Sequence, residues 1–238
     1  MRRIVKGAEP PALRDFKTVN RATPQALRYD SLGQQVRREL RERMLAEQGR
    51  LCAYTMSPIG CRGDDRGGDD FHVEHILPRS RHPERELDYD NMVLCCPGPD
   101  ANFDEYGARR KGGAEIDDEN FVSPLNASCE WRLRYGQNGR VRAATDADGA
   151  AKRTIELLAL NHRNLVDMRI AALQAQGLAG KARRPLSAAK AERLALIIVE
   201  PSASGDIAPF CVAIKQVAER FAWQRRERAA RLVRAPDR

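Results

Sequence analysis

The sequence predicts an α+β protein, with a short strand-bearing middle wrapped by helices from both ends. Three observations carry this. Apolar residues recur at helical spacing toward both ends, in 31–48, 152–176, 187–199 and 209–234. Between them the apolar runs shrink to short segments at 51–56 and 71–78, bounded by Gly, Pro and Asp. The length of 238 residues, with 42% hydrophobic and 31% charged, allows one large or two small domains with a modest core and a charged perimeter.

Residues 1–29 contain Pro10, Pro11 and Pro24 with little periodicity, and read as an extended arm with a short turn or two. The helix at 31–48 follows from Leu32, Val36, Leu40, Met44 and Leu45, and Gly49 is its stop. Arg37, Arg38, Arg41 and Arg43 lie between the apolar positions, as a solvated face or a phosphate-contacting one. LCAYTM at 51–56 is short and apolar, and 57–70 is a Gly- and Asp-rich loop. FHVEHILP reads as a strand, and 89–96 as a helix or a second strand. CPGPDANF is a loop. The polar stretch 112–150 is poorly patterned, with turns expected at Asn138-Gly139 and Asp148-Gly149. Helical spacing returns through Ile155, Leu158, Leu165, Met168 and Leu173, with a break expected near Asn161. Two more helices follow, at 187–199 with Ser187 as cap and at 209–234. These elements divide the chain into an arm and helix at 1–49, a core at 50–115 and a helical region at 116–238.

No apolar run approaches the roughly 18 residues of a membrane span. The basic N-terminus lacks the apolar segment of a secretion signal, so a cytoplasmic protein is expected. In that compartment Cys52, Cys61, Cys95, Cys96, Cys129 and Cys211 are free thiols or metal ligands. Net charge is +8, unevenly spread: +6 over 1–50, −7 over 51–150, +5 over 151–220 and +4 over 221–238. A polyanionic partner would then draw its phosphate affinity from the flanks or from a second protein.

The chemistry concentrates in FHVEHILPRS and LDYDNMVLCC. Two of the chain's four histidines sit here, as His72 and His75 around Glu74. On a strand His72 and Glu74 share a face and His75 points away, unless the strand ends or bends near Glu74. A carboxylate suits Mg²⁺ or Mn²⁺, and a neutral imidazole suits general-base work near neutral pH. Asn91 offers an amide to orient the histidine or brace the loop. HxEH alone is a weak pattern. A zincin needs two histidines four apart on a helix, whereas these are three apart and Pro78 follows closely.

With Pro78, the 88–91 segment, the cysteine pair and Lys111 added, the pattern resembles the HNH endonuclease motif. The resemblance implies a ββα-metal core at 50–115, in which Glu74 matches the metal ligand, His75 the general base and Asn91 the central asparagine. MRRIVKGAEPPAL, LCAYTM, HVEHILPRS, LDYDNMVLCC, YGARRKGG and ELLALNHRNLVDMR together resemble the PtuB-type HNH proteins. Those are effector subunits of Septu and retron-linked antiphage systems. This likeness covers about residues 1–175 and implies a metal-dependent nuclease acting on DNA or RNA and an ABC/SMC-type ATPase partner; a homo-oligomer within such a complex is open to it.

The chain departs from the HNH pattern before Lys111, where Ala108, Arg109 and Arg110 stand in place of a third ligand. His72 is the first candidate substitute and Asp104 the second. Arg109, Arg110 and Lys111 form a small basic cluster, for nucleic acid or simply as a solvated helix start. HNH proteins often carry a zinc knuckle of two CxxC pairs. Here Thr55 stands where Cys52 would have its partner, and Cys95 and Cys96 are adjacent. Count allows a zinc site from Cys52, Cys61, Cys95 and Cys96, but buried thiols are the favoured reading. The second functional reading is a decayed HNH fold serving as a nucleic-acid-binding or scaffold subunit.

Overall fold

The computed structural model describes residues 1–60, 70–97, 105–180 and 186–234. Cys61 and Asp104 lie outside these residues. The architecture is α+β: helices surround two small antiparallel sheets.

The proline-rich arm is the first departure from expectation. Pro11 starts helix α1 (Pro11–Val19) instead of preventing it. A proline at the first helical position loses no hydrogen bond, because that N–H has no partner there. α2 (Gln34–Gln48) ends at Gly49, with φ +57°. A Cβ there would lie 2.4 Å from Ile207 Cδ1, so sterics as well as backbone angle require glycine.

The central sheet pairs β1 (His72–His75) with β2 (Met92–Cys95). The register sets His72 opposite Cys95 and His75 opposite Met92. The strand is shorter than FHVEHILP suggested, because the chain turns at Ile76. The 89–96 segment divides between a one-turn 3₁₀ helix, Tyr89–Asn91, and β2. Two strands leave edges whose backbone groups need partners. Gln48 supplies them on β2: its Oε1 accepts from Leu94 N–H at 2.7 Å and its Nε2 donates to Leu94 O at 2.9 Å. Lys6 Nζ donates to Met92 O at 3.1 Å.

α3 (Ala108–Lys111) follows, then α4 (Cys129–Arg132). The stretch expected to be turns contains a hairpin, β3 (Leu133–Tyr135) with β4 (Val141–Ala143). Asn138-Gly139 forms its turn. A Cβ on Gly139, at φ +71°, would lie 2.5 Å from Val166 O. Asp148 starts a helix instead of making a turn, since its Oδ1 accepts from Ala151 N–H at 2.9 Å. That helix is α5 (Gly149–Leu157), followed by α6 (Arg163–Ala175). The break expected at Asn161 is present, and the Asn161 amide pairs with both Val141 N–H and Val141 O at 2.8 Å. α7 (Ala188–Ile197) is capped by Ser187, and α8 (Cys211–Arg234) ends the described chain.

One hydrophobic cluster runs from Met1 and Leu13 through Tyr54, Leu94 and Leu133 to Ala213. A smaller one joins α6, α7 and α8 around Leu173, Ala195 and Val217. No helix among the described residues is long and apolar enough to cross a membrane.

Candidate active site

β1 and α3 bring His72, Glu74 and Lys111 together, while β1 keeps its pairing through His75, whose side chain points to the other face, against Tyr29 and the Glu86 carbonyl. Residues two apart on a strand share a face, and His72 Nε2 lies 3.7 Å from Glu74 Oε2. On the other side of Glu74 the buried ammonium of Lys111 stands 2.9 Å from Oε1. That contact is off the line of a hydrogen bond, and Glu74 Oε1 accepts none among the described residues. The fully buried Tyr54 hydroxyl is likewise without a hydrogen bond there. Burial first, then the neighbouring Glu74 charge, push its pKa well up.

The two histidines are held in opposite tautomers. A carbonyl oxygen only accepts, so the ring nitrogen facing one must carry the proton. His72 Nδ1 faces Pro97 O at 2.7 Å, which leaves the Nε2 lone pair toward Glu74. His75 Nε2 faces Glu86 O at 2.8 Å, which leaves the lone pair on Nδ1. Their pKa values separate accordingly. Burial works to lower that of His72, but the Glu74 carboxylate and the Pro97 carbonyl together outweigh it and the net shift is upward. Burial dominates for His75 and lowers it, so the imidazole is neutral at pH 7.

Asn91 is 2% exposed and braces the turn between the strands. Its Oδ1 accepts from Leu77 N–H at 2.7 Å, and its Nδ2 donates to Leu77 O at 3.0 Å and Arg85 O at 3.2 Å. This fixes the 77–91 loop, whose Glu86 carbonyl holds His75. Tyr29 packs edge-on against the His75 ring, with centroids 5.1 Å apart. The guanidiniums of Arg37 and Arg79 each lie 5.3 Å from the Tyr29 centroid.

The basic cluster divides. Arg110 is exposed and Arg109 partly so, while Lys111 is 3% exposed and turned inward. Its ammonium donates to His75 O at 3.2 Å and Ile76 O at 3.0 Å, closing the end of β1. Cys52, Cys95 and Cys96 converge as thiols beside β2, and Cys96 N–H donates to Cys52 Sγ at 3.4 Å. Among the described residues, no group of three or more His, Cys, Asp and Glu is arranged to hold a metal ion.

Residues 59–98 match the family model described as HNH endonuclease. The match supports the HNH family. It covers β1, the braced turn and β2, which are the elements that place His72, Glu74, His75 and Asn91. An HNH segment supports nuclease chemistry, a nucleic-acid substrate and divalent metal use in general. No curated protein matches the chain.

The donor chemistry of the HNH segment fits a hard divalent ion in part. Glu74 carries a carboxylate oxygen without a hydrogen bond, and His72 presents a free Nε2 on the same face. Mg²⁺ commonly takes one or two protein ligands and keeps water or phosphate oxygens elsewhere. Sequence reasoning missed Tyr29, Tyr54, the Glu86 carbonyl and the inward turn of Lys111. No local pattern marks the tyrosines. Four basic or small residues in a row, ARRK, gave no sign that the last is buried.

Proposed function

We propose that this chain is a metal-dependent endonuclease that hydrolyses phosphodiester bonds of DNA or RNA, with residues 50–115 as its nuclease core. The observation that carries the reading is the tautomer of His75. A general base needs a neutral ring with its lone pair free. The Glu86 carbonyl fixes the proton on Nε2, and burial keeps the ring neutral.

Glu74 and His72 would hold a Mg²⁺ or Mn²⁺ ion, the neutral His72 ring offering Nε2. When bound, such an ion polarises the scissile phosphate and neutralises charge on the leaving oxygen. His75 Nδ1 takes the proton from the attacking water. Asn91 keeps the 77–91 loop, and with it the Glu86 carbonyl, in position. Lys111 holds the end of β1 through the His75 and Ile76 carbonyls, which fixes the backbone that carries Glu74 and His75. The exposed Arg110, in the middle of α3 beside the half-buried Arg109, would meet phosphate.

The likeness to PtuB-type proteins in HVEHILPRS, LDYDNMVLCC and ELLALNHRNLVDMR supports a role as the cytoplasmic effector of an antiphage complex with an ABC/SMC-type ATPase. A second reading has one observation in its favour. Lys111 already neutralises Glu74, as in a decayed site retained for binding or scaffolding. Plasmid and tRNA incubated with the protein in Mg²⁺ or Mn²⁺, with and without the ATPase, separate the two. Cleavage that disappears in a folded His75→Ala protein supports the nuclease. Binding without cleavage in every metal supports the scaffold.

A further inference from the structure

A cavity of about 780 Å³ lies away from the HNH segment. It lies between the β3–β4 hairpin and α8, and Arg134, Arg140, Arg142 and Arg220 line it. Residues 131–142 contain four arginines and no carboxylate, although the surrounding 51–150 region is acidic. Arg132 is the one neutralised, by a two-point contact with Asp148 at 2.6 and 2.7 Å. Among the described residues no ion pair joins Arg134, Arg140, Arg142 or Arg220 to a carboxylate.

This arrangement works against the fold. Arg134 and Arg142 are direct partners in the register of β3 and β4. Like charges directly opposite on a sheet destabilise it. Arg220 faces both from α8, anchored by a hydrogen bond to Tyr135 O. Burial, then the Arg134 and Arg142 charges, lower its pKa, and only Glu219 acts in the opposite sense. A hairpin of two three-residue strands has little stability to spare, and an apolar or mixed-charge surface would serve it better. A ligand that brings negative charge explains the cluster. Guanidinium forks match phosphate oxygens in pairs.

Two exposed indoles indicate what else the ligand offers. Trp131 is 74% exposed and Trp223 62% exposed. Gln216 bonds to β3 through Leu133 O and Tyr135 N–H, and Arg220 reaches Tyr135 O. Residues 216, 220 and 223 share that helix face, so Trp223 sits just past the point where the hairpin ends its cover. Trp131 and Arg134 together line a second, adjoining cavity. An aromatic platform beside a basic cleft binds unpaired bases by stacking while the backbone follows the cations.

We infer that the cleft between β3–β4 and α8 binds a single nucleic-acid strand, with Arg134, Arg140, Arg142 and Arg220 on successive phosphates and Trp223 under a base. It rests on the nuclease reading only for why such a strand is present. The site is formed by elements other than β1, β2 and α3, and binding to it needs no divalent ion.

The test is fluorescence anisotropy with labelled 20-nucleotide single strands, in EDTA, on the full chain. Arg134→Ala/Arg142→Ala should weaken binding and reduce the slope of log affinity against log salt by about 1.4, at roughly 0.7 per phosphate lost. The same variant should melt at an equal or higher temperature, because it removes like-charge repulsion. A merely structural role predicts a lower one. Trp223→Ala should weaken binding roughly five- to a hundred-fold, and Arg134→Lys/Arg142→Lys should restore the salt slope. Unchanged affinity in the alanine variants overturns the proposal. So does equal competition by inorganic pyrophosphate or a nucleoside triphosphate combined with no effect of Trp223→Ala, which would mark a small-phosphate site. His75→Ala should leave this binding intact whether or not the protein cleaves, so failure of the cleft and failure of the nuclease reading are read separately.

Discussion

Replacing Asn91 with alanine tests how the turn above the site is held. The side chain is 2% exposed and serves three backbone groups: Leu77 N–H, Leu77 O and Arg85 O. Truncation leaves all three beneath the loop without that partner. An unsatisfied buried polar group costs about 1–3 kcal/mol. The space left by the amide admits water to part of the cluster, so the sum falls short of three full penalties. The expected loss is about 3 kcal/mol, which for a chain of this size lowers Tm by roughly 6–12 °C. Urea unfolding with an unchanged m-value measures it. A loss under about 1 kcal/mol refutes the reasoning, because the loop would then hold its shape without the amide. Asn91→Asp sharpens the test. The introduced carboxylate keeps the Leu77 N–H but faces the Leu77 and Arg85 carbonyls. Those acceptors favour the protonated acid and raise its folded pKa above the ordinary value near 3.9. Stability is then full below that value and lost as pH rises through the raised one. A variant that is steadier at pH 7 than at pH 4 contradicts the account.

The pH profile of cleavage carries the signature of His75. Burial lowers its pKa below 6.5, so the base stays neutral to lower pH and the acid limb of kcat/KM should fall below 6.5. A limb above 6.5 would assign the base elsewhere. Lys111→Met should destabilise by about 3–5 kcal/mol, since it strands a half-buried Glu74 carboxylate. Adding Glu74→Gln should recover part of that loss, and a double-mutant cycle with no coupling rules the contact out. Glu74→Gln alone should abolish saturable Mn²⁺ binding measured by calorimetry while the protein still unfolds cooperatively. Retained binding places the ion at another site.

The helices were legible where the apolar spacing was clear. Gly49, the Asn161 break and the Ser187 cap all stand where the pattern put them. The N-terminal helix was hidden because Pro10 and Pro11 read as breakers, although Pro11 occupies the one helical position that favours proline. The β3–β4 hairpin was hidden for another reason. Leu133–Tyr135 and Val141–Ala143 alternate inward and outward correctly, but three residues are too few to show a period of two. Net charge concealed the arginine cleft, since 51–150 sums to −7 while 131–142 is wholly basic. Gln48, Asn91 and Asn161 replace missing strands by pairing with backbone. Hydropathy cannot mark such residues. At the site, residue type was legible and position was not. Glu74 and His75 were named from residue type, but the Glu86 carbonyl that sets the tautomer comes from a loop 11 residues away.

In the proposed mechanism His75 is the base. The most direct measurement is the single-turnover rate of nucleic-acid cleavage in Mn²⁺ by the wild type and by His75→Ala, each first shown to be folded. General-base catalysis predicts a fall of roughly 10²–10⁴-fold. Equal rates in the two proteins would contradict it.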